Sequence, residues 1–253
     1  MSRYYYDLHI HSCLSPCADD DATPANIAAM AALNGLHIVA LTDHNTTRNC
    51  PSFFKAAKAL GLIPIAGMEL TTAEDIHVIC LFPSLETAEE FDRTVDAARV
   101  KIRNKPAVFG HQYLMDEDET VLGEEPDLLI NATTLSLEDA FHACEAAGGI
   151  CYPAHIDRTS NGIIATLGAF PDSPAYTVYE LHDAAADAAY RKAHPLITPL
   201  VRVVSSDAHD LGAISEAENS VLLDDEPYSS RLVTERLFQY LRGNSAGSEH
   251  ENG

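Results

Sequence analysis

Positive charge is scarce in this chain. Lys and Arg number 16 against 38 Asp and Glu in 253 residues, which leaves a formal charge of -22 with histidine neutral. Such a surface repels phosphate backbones at long range, and no basic run interrupts it, so long nucleic acid is disfavoured as a partner. Long apolar stretches are missing too. No run approaches the roughly 18 residues of a membrane-spanning helix, which excludes a bilayer span and leaves no membrane partner. The opening MSRYYYDLHI has no charged n-region, apolar h-region or small-residue cleavage site, so the expected location is the cytoplasm. Cysteines are few: Cys13, Cys17, Cys50, Cys80, Cys144 and Cys151 sit partly inside apolar runs, as reduced core thiols do, and no disulfide framework is inferred. No internal repeat is visible.

What is present is a hydrophobic content of 46%, enough for one sizeable core. Residues 1–242 read as one domain, 104–134 as an inserted loop or lid rich in charge and turn residues, and 243–253 as a polar, disordered tail. Short β-branched runs alternate with alanine- and leucine-rich stretches, the pattern of βα units around a parallel sheet. Strands are expected over 5–10, 37–42, 63–70, 76–82, 149–153, 176–181 and 202–205. Helices are expected over 24–34, 52–60, 85–103, 137–147, 183–193 and 229–242. Thr23-Pro24 and Ser136 supply helix starts, and Gly35 and Gly61 stand where helices should end.

Residues that bind metal recur beside these runs. Asp7-Leu8-His9-Ile10-His11-Ser12 ends the first one. Residues two apart on a strand share a face, so His9 and His11 can grip one cation. A lone HxH is more often a pair of half-buried strand histidines. Here, however, LTDHN brings His44, GMEL brings Glu69, DIHVICLF brings His77, PAHIDR brings His155, and SSDAH brings Asp207 and His209. All but His77 fall at a strand's carboxyl end, and in a barrel of parallel strands those ends converge on one mouth. Buried carboxylates without a partner or metal are rare, so the set together points to a metal site.

The ordered motifs DLHIHS, LTDHN, GMEL, DIHVICLF, PAHIDR and SSDAH resemble those of the polymerase and histidinol phosphatase (PHP) family over about the first 210 residues. The resemblance implies an α/β fold, a distorted (β/α)7 barrel with its metal site at the C-terminal ends of the strands, and a metal-dependent phosphoesterase activity. It also implies two to three divalent ions, manganese, iron or zinc. His9, His11, Glu69 and Asp207 would hold the first and Glu69, His77 and His155 the second. The third would be held by His44, His209 and an aspartate of the loop after the first strand. That loop, SPCADDDATP, is longer than the family's. Counting back from Thr23-Pro24 favours Asp19, with Asp20, Asp21 and Cys17 left open.

Glu69 is therefore expected to bridge two cations, with Asp207 or His209 protonating the leaving oxygen. Arg158, three residues after His155, can offer a planar fork to a phosphate. His111, Gln112 and Tyr113 are read as structural, as are the thiols of Cys13 and Cys17. The expected substrate is a small phosphorylated metabolite or nucleotide. Amidohydrolases also begin with HxH but commonly bridge their metals with a strand-end lysine. Lys55, Lys58, Lys101, Lys105 and Lys192 lie in expected helices or beside a proline loop, which weakens that alternative. A non-catalytic barrel module would show missing ligands, and here the set is complete.

Overall fold

The computed structural model describes residues 1–244, so positions 245–253 of the expected tail lie outside the described residues. Every expected strand run forms a strand: β1 (Ser2–Asp7), β2 (Ile38–Leu41), β3 (Ile63–Thr71), β4 (His77–Phe82), β7 (Ile150–Pro153), β8 (Val178–Leu181) and β9 (Val201–Val204). Sequence reading missed the hairpin strands β5 (Tyr113–Met115) and β6 (Val121–Glu124), and the strand β10 (Ser220–Leu223) beside an acidic run. The helices are α1 (Pro24–Leu33), α2 (Cys50–Ala59), α3 (Leu85–Ala98), a short α4 (Pro106–Phe109), α5 (Leu137–Ala146), a short α6 (Ile163–Leu167), α7 (Asp187–Ala193) and α8 (Ser230–Leu241).

Local chemistry sets several of these ends. The Thr23 hydroxyl accepts from Asn26 N at 3.2 Å to start α1, and Ser136 with Asp139 closes a capping box on α5. Gly35 and Gly61 follow α1 and α2 at φ +77° and +79°, a left-handed turn that a Cβ would strain. The helix expected over 85–103 stops at Ala98 because Arg99 turns extended and bridges to Thr133, while Ala98 O accepts from Thr134 N at 2.9 Å. The helix expected over 183–193 begins instead as a 3-10 turn at Ala184–Ala186, capped by Asp183.

Six strands form one curled sheet in the order β10-β1-β2-β3-β4-β7, and β8 pairs with β9 beside it. The sheet is mixed rather than wholly parallel: β1, β2 and β3 run parallel, but β4 is antiparallel to both β3 and β7. This reversal accounts for His77, which starts β4 yet pairs with Thr71 at the end of β3. Its amino end therefore lies at the mouth with the carboxyl ends of the others. A bond from Ile156 N to Glu180 O and a bridge from Ile10 to Ala208 draw the β8–β9 pair round to complete a distorted barrel.

Alternation along the strands divides the core in two. Val39, Leu41, Met68 and Cys80 face outward onto Ile27, Phe53 and Phe91 of the helices. Tyr4, Tyr6, Ile38, Ile63, Ile79 and Leu81 face inward with Val233, Leu237, Phe238 and Leu241 of α8. Arg242, just past α8, donates to the carbonyls of Gly148 and Gly149 immediately before β7. α8 thus closes the end of the barrel opposite the mouth.

Candidate metal centre

At the mouth the first turns after β1, β2, β7 and β9 meet the end of β3 and the start of β4. Among the described residues three metal-competent clusters result: His9, His11, Glu69 and Asp207; His44, Glu69 and His77; His11, His44 and His209. The carboxylate of Glu69, 1% exposed, lies between them. Its Oε1 is 2.8 Å from His77 Nδ1 and 3.0 Å from His155 Nε2, and its Oε2 is 3.1 Å from His44 Nδ1 and 3.2 Å from His11 Nε2. Asp207 Oδ1 lies 3.1 Å from His9 Nε2 and 3.2 Å from His11 Nε2.

These atoms suit cations better than one another. His9 Nε2 and His11 Nε2 face each other at 3.1 Å, about the separation of two ligands that each stand roughly 2.0–2.2 Å from a common ion. His44 Nδ1, His155 Nδ1 and Asp207 Oδ1 are buried without a hydrogen-bond partner, although His44 Nδ1 and Asp207 Oδ1 have neighbours close by. Buried polar atoms are nearly always satisfied, so aligned lone pairs without protons fit divalent metal.

A second layer of groups fixes the rings. Glu180 Oε1 is 2.8 Å from His9 Nδ1 and accepts from His155 N at 3.1 Å. A carboxylate only accepts, so Nδ1 of His9 carries the hydrogen and Nε2 is freed toward the centre. Ser15 Oγ donates to Asp43 at 2.7 Å and so accepts from His11 Nδ1 at 2.9 Å, setting that ring the same way. Sequence reading missed Glu180, whose only signal is a carboxylate inside the buried run VYEL of β8.

Electrostatics follow from burial and crowding. Burial acts to lower the His9 and His11 pKa values, but Asp207, Glu180 and Glu69 outweigh it at His9, and bonds to Asp207 and Glu69 raise His11 to about 9. Burial, then the charge of His11, lowers His44 well below its usual value and His209 to about 4. Burial would raise Glu69 and Asp207, yet the surrounding histidines hold both below the ordinary carboxylate range. Without cations the cluster therefore takes up protons to balance its carboxylates, and binding of metal must release them.

The backbone is unusual at the same places. His155 and Asp207 have φ of +26° and +51°, and Asn45, next to His44, has +51°. Such conformations cost on the order of 1–3 kcal/mol each and persist where neighbours enforce them. Asn45 shows how: its amide donates to Leu129 O and Asn131 O, and its Oδ1 accepts from Thr71 N.

The clusters found among the described residues contain neither Asp19, Asp20 and Asp21 nor Cys17. The Asp19 N–H donates to His209 O at 2.8 Å and its carbonyl accepts from Ala22, so the loop turns back with all three carboxylates at the surface. His11 occupies the place expected for Asp19 beside His44 and His209. Arg158 reaches the mouth but spends Nη1 on Asp207 Oδ2 at 2.5 Å, with Nη2 against His182. Within 104–134, Gln112 is buried and bonds to Glu125 O, Asp127 O and Leu129 N, while His111 stacks on Tyr113. The hairpin is anchored beside the mouth, with Tyr113 N on Cys13 O and Met115 N on Asn49 Oδ1.

A family model described as the PHP domain matches residues 7–207, most of the chain and every motif except the end of SSDAH, whose Ala208 and His209 lie just beyond the match. The chain belongs to the PHP domain family. A stretch of 96 residues, 38% of the chain, is 32% identical to an error-prone DNA polymerase of Symbiobacterium thermophilum and covers 9% of that protein. The lesion-specific endonuclease Q of Pyrococcus furiosus aligns over 96% of the PHP chain and 57% of its own, with TM-score 0.66 and 18% identity. Endonuclease Q bound to a 27-mer duplex with an abasic lesion at the active site aligns with TM-score 0.60 and 17% identity, over the same shares of each chain. A Bifidobacterium adolescentis protein, proposed as a metal-dependent phosphoesterase, aligns over 93% of this chain and 96% of its own, with TM-score 0.56 and 19% identity. The PHP chain thus spans only part of the polymerase and of the endonuclease, and these structural likenesses concern the fold. Among the described residues no helix is long and apolar enough to cross a membrane.

Proposed function

We propose that this PHP protein hydrolyses phosphoesters of a small phosphorylated metabolite or nucleotide with two to three divalent cations held around Glu69. The observation that carries this reading is one buried carboxylate shared between clusters of histidine and carboxylate donors. Mixed nitrogen and oxygen donors of this kind suit manganese, iron or zinc. Cations bound there supply Lewis-acid activation of water and neutralise charge on phosphoryl oxygens. His9, His11, Glu69 and Asp207 would hold one ion, Glu69, His77 and His155 a second, and His44 and His209 with His11 a third.

The protonation states refine the roles expected for Asp207 and His209. Asp207 is held ionised and His209, lowered to about 4, is neutral near pH 7. Both are in the form that ligates rather than the form that donates a proton, so we assign them to ligation. Arg158 stands beside Asp207 with its remaining donors at the mouth, where it can turn to a phosphoryl oxygen.

Likeness to an endonuclease that binds duplex DNA supports a second reading, cleavage of a nucleic acid. A formal charge of -22 opposes it, since a long polyanion would be repelled unless neutralised locally. The test is a screen of phosphate mono- and diesters and of lesion-bearing duplex DNA with metal-loaded protein. Chelator-reversible turnover of a small ester, abolished in Glu69→Gln, is expected. Turnover of DNA alone would move the assignment to the second reading, and metal-replete protein inert toward every ester would end both.

A further inference from the structure

Away from the metal ligands, a recess of about 390 Å³ opens between the loop after β2 and the exit of α3. Its volume lies within the range of about 300–1,000 Å³ usual for small-molecule sites. Arg48, Arg93, Arg99 and Lys101 line it, in a chain with only 16 such cations, so positive charge is concentrated here against the overall trend.

Three acids, Asp92, Asp96 and Glu125, stand against these four cations, so the lining keeps a formal excess of one positive charge. Asp92 is engaged by the Thr46 hydroxyl at 2.9 Å and the Thr47 N–H at 2.6 Å. Glu125 pairs with both Arg48 and Arg99, and Asp96 with both Arg99 and Lys101. Burial alone would raise the Glu125 carboxyl, but the Arg48 guanidinium holds it low. Arg93 takes part in no ion pair among the described residues, and each shared carboxylate faces two cations.

Position adds the second argument. Asn45 lines the recess and directly follows His44 of the metal centre. Three residues lie between His44 and Arg48, so their Cα atoms are at most about 14 Å apart even with the chain fully extended. A group seated in the recess is therefore within one small molecule's length of the cluster. Guanidinium forks with a lysine beside them match the oxygens of a phosphoryl group.

We propose that the recess between Arg48, Arg93, Arg99 and Lys101 is an anion subsite for a second phosphoryl group of the substrate whose scissile ester lies at the metal centre. The proposal rests on the phosphoesterase reading. It selects bisphosphorylated small molecules over their monophosphate counterparts.

The experiment uses metal-loaded protein and alkanediols of increasing length, each as monophosphate and bisphosphate. The expected kcat/KM is at least about tenfold higher for the bisphosphates, with an optimum length, a preference equivalent to about 1.4 kcal/mol. Arg93→Ala combined with Lys101→Ala should remove most of that preference. Lys192→Ala combined with Arg231→Ala, which deletes equal charge from exposed helix positions, should keep it. A non-hydrolysable alkane bisphosphonate titrated by calorimetry reads binding without turnover and should bind about tenfold more weakly to the Arg93/Lys101 variant. Recess-dependent bisphosphonate binding with no ester cleaved would sink the phosphoesterase reading and keep the anion site. Mono- and bisphosphates weakened equally, or bisphosphonate binding unchanged in the variant, would overturn the subsite and leave a structural ion-pair network.

Discussion

At the end closed by α8, Val233, Leu237 and Leu241 are buried against Ile38, Ile63 and Leu81, whereas at the mouth His9, His11, Glu69 and Asp207 are buried against one another. Both ends are close-packed, but only the first gains free energy simply from leaving water. The mouth adds residues in left-handed backbone and buried rings without hydrogen-bond partners. The contrast teaches that the closed end stabilises the barrel while the mouth draws on that stability, and that cations would repay part of the cost by binding the folded form.

The sharpest way to break this contrast is to alter the shared carboxylate. Glu69→Gln should lower turnover by about three orders of magnitude or more, beyond the 10²–10³ typical of losing one preorganised donor, and should lower metal content as well. Glu74→Gln is the matched control, because Glu74 accepts from Leu137 N at the start of α5 and lies outside the clusters. Equal effects in the two variants would misplace the bridge. At the other end, Leu237→Ala should cost about 2–5 kcal/mol of stability, read as a lower midpoint in denaturant. Metal bound per folded chain should not change, and a proportionate loss of metal would show that the two ends are not separable.

Smaller effects sharpen the account of the mouth itself. Arg158→Ala should reduce kcat/KM toward phosphoesters by roughly ten- to a thousandfold, or about 1.4 to 4 kcal/mol. Its metal content should stay constant, since guanidinium does not ligate; a fall in metal would reassign Arg158 to supporting Asp207. Glu180→Gln, which alters the acceptor shared by the His9 ring and the His155 N–H, should weaken metal affinity by about 10–100-fold while preserving the fold. Unaltered affinity would remove Glu180 from the site. The mildest effect is one of pH. In chelator-treated protein, His11 is raised from 6.5 to about 9, so its contribution to stability is fully present below pH 6.5 and is lost as pH rises through about 9. Melting temperature should fall across that window in the metal-free protein and change less when metal holds the rings, and a metal-free melting temperature that rises there would contradict the sign.

The same contrast marks where sequence was informative. Residues close in sequence to a strand end were readable, because period-2 alternation and the convergence of strand ends bring His9, His11, His44, Glu69, His155 and Asp207 to one place. His77 looked misplaced until β4 proved antiparallel, a reversal that an apolar run cannot reveal since VICLF reads the same in either direction. Asp19 was favoured by counting residues in a loop, and counting could not show that backbone bonds to His209 and Ala22 hold a turn in which Asp19, Asp20 and Asp21 are all exposed. Glu180 was hidden inside a strand, and the cationic recess was unreadable because Arg48 and Arg99 are about half a hundred residues apart. Pairing in the β5–β6 hairpin was likewise masked by its charged, turn-rich composition.

The measurement closest to the central claim is the metal content of protein purified without chelator under metal-replete conditions, compared with Glu69→Gln. About two to three transition-metal equivalents per chain are expected in the wild type, since such ions take roughly four to six ligands each and Glu69 is shared, with a clear loss in the variant. A wild-type content near zero, or an equal content in the two proteins, would contradict a polynuclear centre built around Glu69.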